Sequence, residues 1–218
     1  MSSALVKEHA LTIAASYLTK GIHELSLDID AEQQNRLLQY LVLLEKWNQV
    51  YNLTAIRELG KMVSAHLLDS LCVLPLLPGA SVLDVGSGAG LPGIPFAVAR
   101  PTWQVTLLDS NHKKAAFLRQ AVADLALRNA SVVCERVESW PEPRRFDVII
   151  SRAFADLAEF VAMTERFLAP GGVLAAMKGV HPYDEIERVP LGCRVRDVIA
   201  LKVPGLDAQR HLVLIERA

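Results

Sequence analysis

Ser81-Val-Leu-Asp-Val-Gly-Ser-Gly-Ala-Gly90 decides how this chain is read. It is a short apolar strand that runs into three alternating glycines, Gly86, Gly88 and Gly90, with an acid, Asp84, just before the first. Glycine permits positive φ and a close approach of ligand to backbone. A strand, a glycine loop and a helix in that order place backbone N–H groups and a helix N-terminus beside a nucleotide-like molecule. An acid inside the turn repels phosphate, so the expected ligand carries positive charge there. S-adenosylmethionine fits, with adenosine, an ammonium and a sulfonium but no phosphate. The first reading is a methyltransferase. Gly88-Ala-Gly-Leu-Pro-Gly93 also spells G-x-G-x-x-G, the dinucleotide fingerprint. That frame starts late relative to the strand, and Asp84 would face a pyrophosphate, so dinucleotide binding is the weaker alternative.

Outward from the loop, strands and helices alternate. Gln104–Asp109, Ser131–Cys134, Phe146–Ser151 and Val173–Met177 read as strands. Helices are expected after Pro92, over Lys113–Leu127 and over Leu157–Leu168, with a turn at Pro170-Gly-Gly172. This alternation implies a mostly parallel sheet with helices on both faces. Two β-rich runs, Arg194–Val203 and Arg210–Arg217, flank Pro204-Gly-Leu-Asp207 and suggest an antiparallel hairpin at the sheet edge. The expected fold class is α/β, a Rossmann-like class I methyltransferase fold. Residues 1–75 read as a helical extension packed on the core, and 76–218 as the methyltransferase domain. Within the extension, Leu37, Leu41, Leu44 and Tyr51 recur at helical spacing, and Asp30 with Gln33 resembles a capping box. A further helix is expected from Glu58 to about Leu74.

Half the residues are apolar (51%), a globular composition, and the net charge of −1 argues against non-specific coating of nucleic acid. An RNA substrate would then be recognised largely by shape or in a preassembled particle. No signal peptide and no membrane-length apolar run is read. Cys72, Cys134 and Cys193 are scattered and form no CxxC, so they read as buried thiols in a reducing cytoplasm, with no metal site.

Each candidate site residue has a plainer reading. Asp109 closes the second strand, where an acid accepts hydrogen bonds from ribose hydroxyls, or it caps the next helix. Leu91 presses on adenosine or packs on the sheet. Val137 and Glu138 follow the third strand, where methyltransferases hold adenine; Glu138 is equally a solvated loop charge. Ser151, Arg152 and Phe154 end the fourth strand, facing the transferred methyl, and Arg152 there meets a ligand anion or joins a surface ion pair. No Asn/Asp-Pro-Pro-Tyr/Phe motif and no Pro-Cys pair is present, so amino-group and cytosine-C5 chemistry are disfavoured. His66 and Asp69 lie three apart on one helix face and read by themselves as a surface pair. Lys178, His181, Lys202, Arg210 and His211 sit near strand ends as a possible basic rim.

Taken together, several segments resemble one family, the bacterial ribosomal small-subunit methyltransferase G, also called glucose-inhibited division protein B. They are Lys46-Trp-Asn-Gln-Val-Tyr-Asn-Leu-Thr54, His66-Leu-Leu-Asp-Ser-Leu71 and Asp84-Val-Gly-Ser-Gly-Ala-Gly-Leu-Pro-Gly-Ile-Pro95. Leu107-Leu-Asp-Ser110 with Lys113-Lys114 and Phe117-Leu118, Ser151-Arg-Ala-Phe154 and Lys178-Gly179 complete the set. The resemblance implies methyl transfer from S-adenosylmethionine to N7 of guanine 527, in the decoding-region loop of 16S ribosomal RNA. It implies a small-subunit or assembly-intermediate substrate, and cofactor contacts from Gly86, Leu91, Val137, Glu138 and Arg152. A cytoplasmic monomer with no membrane partner is expected. Guanine N7 has a free lone pair, so no general base is expected; Arg152, Ser151, Phe154, His66 and Asp69 would position the base, and Asp69 would steady the cationic product. The alternatives are a small-molecule methyltransferase and a non-catalytic, cofactor-dependent ribosome-binding protein.

Overall fold

The structure is a computed structural model that describes residues 3–152, 154 and 156–218. Seven strands form one sheet in the order β3-β2-β1-β4-β5-β7-β6. The strands β1 (Ser81–Val85), β2 (Gln104–Leu108), β3 (Ala130–Val133), β4 (Phe146–Ser151) and β5 (Leu168–Lys178) run parallel. The last strand, β7 (His211–Arg217), lies antiparallel between β5 and the edge strand β6 (Cys193–Ala200). The chain moves outward from β1 to β3 and then crosses back to β4. The point where the order reverses therefore falls between β1 and β4, and a crevice opens there beyond their carboxyl ends.

Apolar residues fill both sheet faces. Against one face pack α1 (Ser3–Glu24), α2 (Ala31–Tyr51), α5 (Gly93–Ala99) and α6 (His112–Asp124), and Leu18, Leu37, Leu44, Phe96 and Phe117 are buried there. Against the other packs α7 (Leu157–Thr164), with Phe160, Phe167, Ile149 and Leu174 buried. The capping box forms as expected: Asp30 accepts the Gln33 N–H at 2.8 Å, and the Gln33 side chain accepts the Asp30 N–H at 2.9 Å.

Two segments differ from their expected form. The helix expected from Glu58 is broken into α3 (Leu59–Met62), a π-helical turn over Val63–Leu68 and α4 (Asp69–Leu71). Side chains take up carbonyls of the widened turn: Ser70 Oγ donates to the His66 carbonyl at 2.6 Å and Arg152 to the Ala65 carbonyl at 3.4 Å. Leu59–Leu76 is apolar and long enough by composition to cross a membrane, yet it is mostly packed inside the fold, and Lys61 and Asp69 interrupt it. The turn expected at Pro170-Gly-Gly172 is instead part of β5, whose pairing with β4 shifts register between Phe146 and Val148. A Cβ on Gly172 would sit 2.8 Å from the Asp147 carbonyl oxygen, so this irregular pairing requires glycine there. A short helix, α8 (Tyr183–Ile186), was not anticipated.

The helical N-terminal segment touches the glycine loop directly. Tyr40 is fully buried, and its hydroxyl donates to the Ala89 carbonyl at 2.6 Å. Tyr40→Phe leaves that buried acceptor unpaired and should lower unfolding stability by about 1–3 kcal/mol in urea titration. An unchanged midpoint would show that the bond contributes nothing.

Candidate active site

The glycine loop bends as its composition requires: Gly86, Gly88 and Gly90 have φ of 71°, 59° and 87°. Its N–H groups, however, turn inward. Those of Gly86 and Ser87 reach the Leu108 carbonyl at 2.8 and 3.1 Å, and those of Gly90 and Leu91 reach the Ser87 carbonyl at 2.7 and 3.1 Å. The Gly88 N–H donates to Asp109 Oδ2 at 2.9 Å. The expectation that backbone N–H groups would line the ligand site is corrected for these five residues. With its donors occupied, the loop offers no phosphate cradle.

Asp84 is fully buried, and its Oδ2 accepts the Gly93 N–H at 3.0 Å. It joins the loop to the start of α5 and lies beneath the cleft surface. Its Oδ1 has no hydrogen-bond partner among the described residues. Burial pushes its pKa up to about 7, more than the Gly93 bond and the Arg152 charge pull it down. A cationic ligand at the loop would supply the missing charge. Asp109 is also buried, and each of its oxygens accepts one N–H, from Gly88 at 2.9 Å and Asn111 at 2.8 Å. Each carboxylate oxygen can accept a second donor, which leaves room for two vicinal hydroxyls. The helix α6 is capped by Asn111, not by Asp109.

A cleft of about 330 Å³ lies over these strand ends, within the size range of small-ligand sites. Gly86, Asp109, Val137, Glu138 and Phe154 line it, joined by Lys114, whose ammonium stands 3.9 Å from Asp109. One side chain shapes the Val137–Glu138 side of the cleft. Arg166 donates to the carbonyls of Val137, Glu138 and Trp140 at 2.7, 3.0 and 3.2 Å, while its guanidinium lies 4.4 Å from the Phe167 ring centroid. The residues brought together there suit S-adenosylmethionine: an acid for a ribose diol, an apolar wall, a buried carboxyl with one oxygen unpartnered among the described residues, and no phosphate cradle. Gly90 and Leu91 lie under the surface instead. A Cβ on Gly90 would strike Ile94 and Leu118, and the Leu91 side chain is in the core.

Across the β1–β4 crevice, Asp69 holds two cations. Arg152 Nη1 donates to its Oδ2 at 3.1 Å and Arg210 Nε to its Oδ1 at 2.9 Å. The surface-pair reading of His66 and Asp69 is corrected: both are buried, and each bonds to other groups. The widened turn swings them inward. His66 Nδ1–H donates to the Ala65 carbonyl at 3.0 Å, and Nε2 accepts from the Thr54 hydroxyl at 2.9 Å. Burial holds its pKa down at about 4, so the ring is neutral. Asn48 Oδ1 accepts the Thr54 N–H at 2.8 Å, so Asn48, Thr54 and His66 of the quoted motifs form one fastening network. Ser151 is buried, with its hydroxyl donating to the Val85 carbonyl at 2.7 Å. Ala153 of the Ser151–Phe154 motif lies outside the described residues.

Tyr40 and Arg166 were not anticipated as site-shaping residues. Tyr40 stands three residues after Leu37 on the apolar stripe, so its position was visible but its hydroxyl partner was not. No local pattern marks Arg166. The free thiols differ too: Cys72 and Cys193 are buried, but Cys134 is only half-buried.

The family profile described as rRNA small subunit methyltransferase G matches residues 33–213. The chain belongs to that family. It is 60% identical over 196 residues to the ribosomal RNA small subunit methyltransferase G of Laribacter hongkongensis, covering 90% of this chain and 95% of that one. Among solved structures, TrmN from Thermus thermophilus aligns with a TM-score of 0.54 at 20% identity, over 72% of this chain and 53% of that one. This chain thus spans about half of that protein. A SAM dependent methyltransferase from Aquifex aeolicus aligns with a TM-score of 0.52 at 23% identity, over 68% of this chain and 90% of that one. These two likenesses establish the class I methyltransferase fold.

An ionised Asp84 favours a cationic ligand, and a protonated one does not. Affinity for S-adenosylmethionine should therefore rise as pH rises through about 7, with His66 already neutral in that range. Calorimetry should also detect proton release on binding, and Asp84→Asn should remove both effects. Identical pH profiles for the two proteins would show that Asp84 does not sense the ligand charge.

Proposed function

We propose that this chain transfers the methyl group of S-adenosylmethionine to N7 of one guanine, guanine 527 in the decoding-region loop of 16S ribosomal RNA. As a member of the methyltransferase G family it is an S-adenosylmethionine-dependent rRNA methyltransferase. The observation that carries the N7 assignment is the state of the two titratable groups beside Arg152, Asp69 and His66. Both Asp69 oxygens are held by guanidinium groups, and both His66 nitrogens are engaged. Neither is available to remove a proton. Guanine N7 already presents its lone pair, so the reaction needs none removed.

When bound, S-adenosylmethionine supplies an electrophilic methyl carbon on its sulfonium. In this reading Asp109 takes the ribose hydroxyls, and Val137 and Glu138 take the adenine, with Arg166 fixing their backbone. Gly86 lets the donor lie close against β1, and Asp84 answers its positive charge from below. Gly88, Gly90 and Leu91 act through loop shape, and Ser151 ties the end of β4 to β1. Arg152 projects between donor and substrate, and Phe154 walls the cleft. Positioning of two reactants contributes about 7–11 kcal/mol to such a displacement, and it is the main service these residues perform. Asp69, already neutralised, organises Arg152 and Arg210 in place of the expected product-stabilising role. Guanine must be unpaired to reach the site, because duplex RNA hides N7 in a deep, narrow groove. The helical segment 1–75 steadies the loop from behind through Tyr40. In this reading the enzyme is a cytoplasmic monomer, and its substrate is a ribosomal subunit or its precursor.

The test is incubation with methyl-labelled S-adenosylmethionine and small ribosomal subunits lacking the modification, followed by nuclease digestion and mass spectrometry. One labelled N7-methylguanine from the decoding-region loop is expected. Label at another atom or position would refute the assignment. RNA that binds in a cofactor-dependent way without acquiring label would favour the non-catalytic reading.

A further inference from the structure

A second cleft lies at the same sheet edge, beyond the ion cluster. It measures about 550 Å³ and is walled by His181, Tyr183, Arg210 and His211. Its placement follows from the strand register. Lys178, the last residue of β5, pairs with His211, the first of β7, so the segments after β5 and before β7 meet there. The His181 ring stacks on Tyr183 with centroids 3.8 Å apart and planes 26° apart, and the His211 ring stands edge-on to His181 at 5.4 Å. Tyr183 is nonetheless 71% exposed. One ring face is held by the histidine, and much of the remainder is open to solvent.

Contacts connect this cleft with the methyl-transfer side. Arg210 is next to His211 in sequence, and it shares Asp69 with Arg152 at the end of β4. Its side chain keeps about a quarter of its surface exposed (26%) while Asp69 fixes the direction of the guanidinium. The exposed acid Asp184 adjoins Tyr183 and disfavours phosphate directly above the ring. An aromatic surface beside a fixed guanidinium suits a nucleotide whose base stacks and whose phosphate turns toward the arginine.

Resting on the function proposed above, we infer that this cleft is an RNA subsite that receives an unpaired base flanking the target guanine. The base stacks on Tyr183, which is braced by His181 and His211, and the neighbouring phosphate faces Arg210. Single-stranded loops are recognised through splayed bases stacked on aromatic side chains, which is the form the proposed target takes. The subsite contributes to RNA capture and register and does not touch the cofactor.

The test compares wild type, Tyr183→Ala and Tyr183→Phe in steady-state methylation of small ribosomal subunits, with S-adenosylmethionine affinity measured separately by calorimetry. Tyr183→Ala should raise KM for the subunit about tenfold, as expected for loss of one stacked base, with cofactor affinity unchanged. Tyr183→Phe keeps the ring and should retain the wild-type KM. An active wild type whose KM is unaltered by Tyr183→Ala overturns the subsite alone. A wild type that binds cofactor but methylates no subunit RNA overturns the function and the subsite with it.

Discussion

Two buried carboxylates hold the turn on which this site is built. Asp84 takes the Gly93 N–H at the start of α5, and Asp109 takes the Gly88 N–H in the middle of the loop. Buried bonds of this kind are not screened by water, which strengthens them. They draw the first two parallel strands and the glycine turn into one rigid rim. The same bonds decide the ligand class. Loop N–H groups that serve carbonyls and carboxylates inside the protein cannot also cradle phosphate, whereas an acid with spare lone pairs suits a diol. A nucleoside with positive charge is what such a rim accommodates.

The substrate side is organised by a different balance. Asp69 lies between Arg152 and Arg210, so one negative charge joins the turn after α3, the end of β4 and the start of β7. Removing two partly exposed guanidiniums from water offsets much of the attraction, so this bridge adds less stability than direction. Its effect is to aim two cations at one edge of the sheet. The neutral His66, fastened through Thr54 to Asn48, holds the widened turn beneath them. The N-terminal segment thereby touches the glycine loop through Tyr40 and the end of β4 through Asp69.

How much of this was legible in the sequence depends on the range of each interaction. The alternation of strands and helices and the edge hairpin followed from local pattern and turn residues, and Asp109 was placed at the end of the second strand by its spacing from the loop. Asp84 was singled out as a charge, but the packing that buries it, raises its pKa and pairs it with Gly93 is not local. The Pro170-Gly-Gly172 turn was misread because a register shift against β4 lets glycine continue a strand. No periodicity reveals that His66 and Asp69 are buried, or that side chains from Ser70 and Arg152 take up carbonyls of a π-helical turn. Arg166 is the extreme case. It reaches three carbonyls 26 to 29 residues away, and nothing near it in sequence announces them.

The central claim is that the loop and its two carboxylates form a nucleoside site for a sulfonium donor. A crystal structure with S-adenosylhomocysteine tests it most directly. The account predicts both ribose hydroxyls on Asp109, adenine against Val137 and Glu138, and the amino end of the ligand nearest Asp84. A ligand lodged elsewhere, or a ribose that leaves Asp109 bonded only to Gly88 and Asn111, would contradict it.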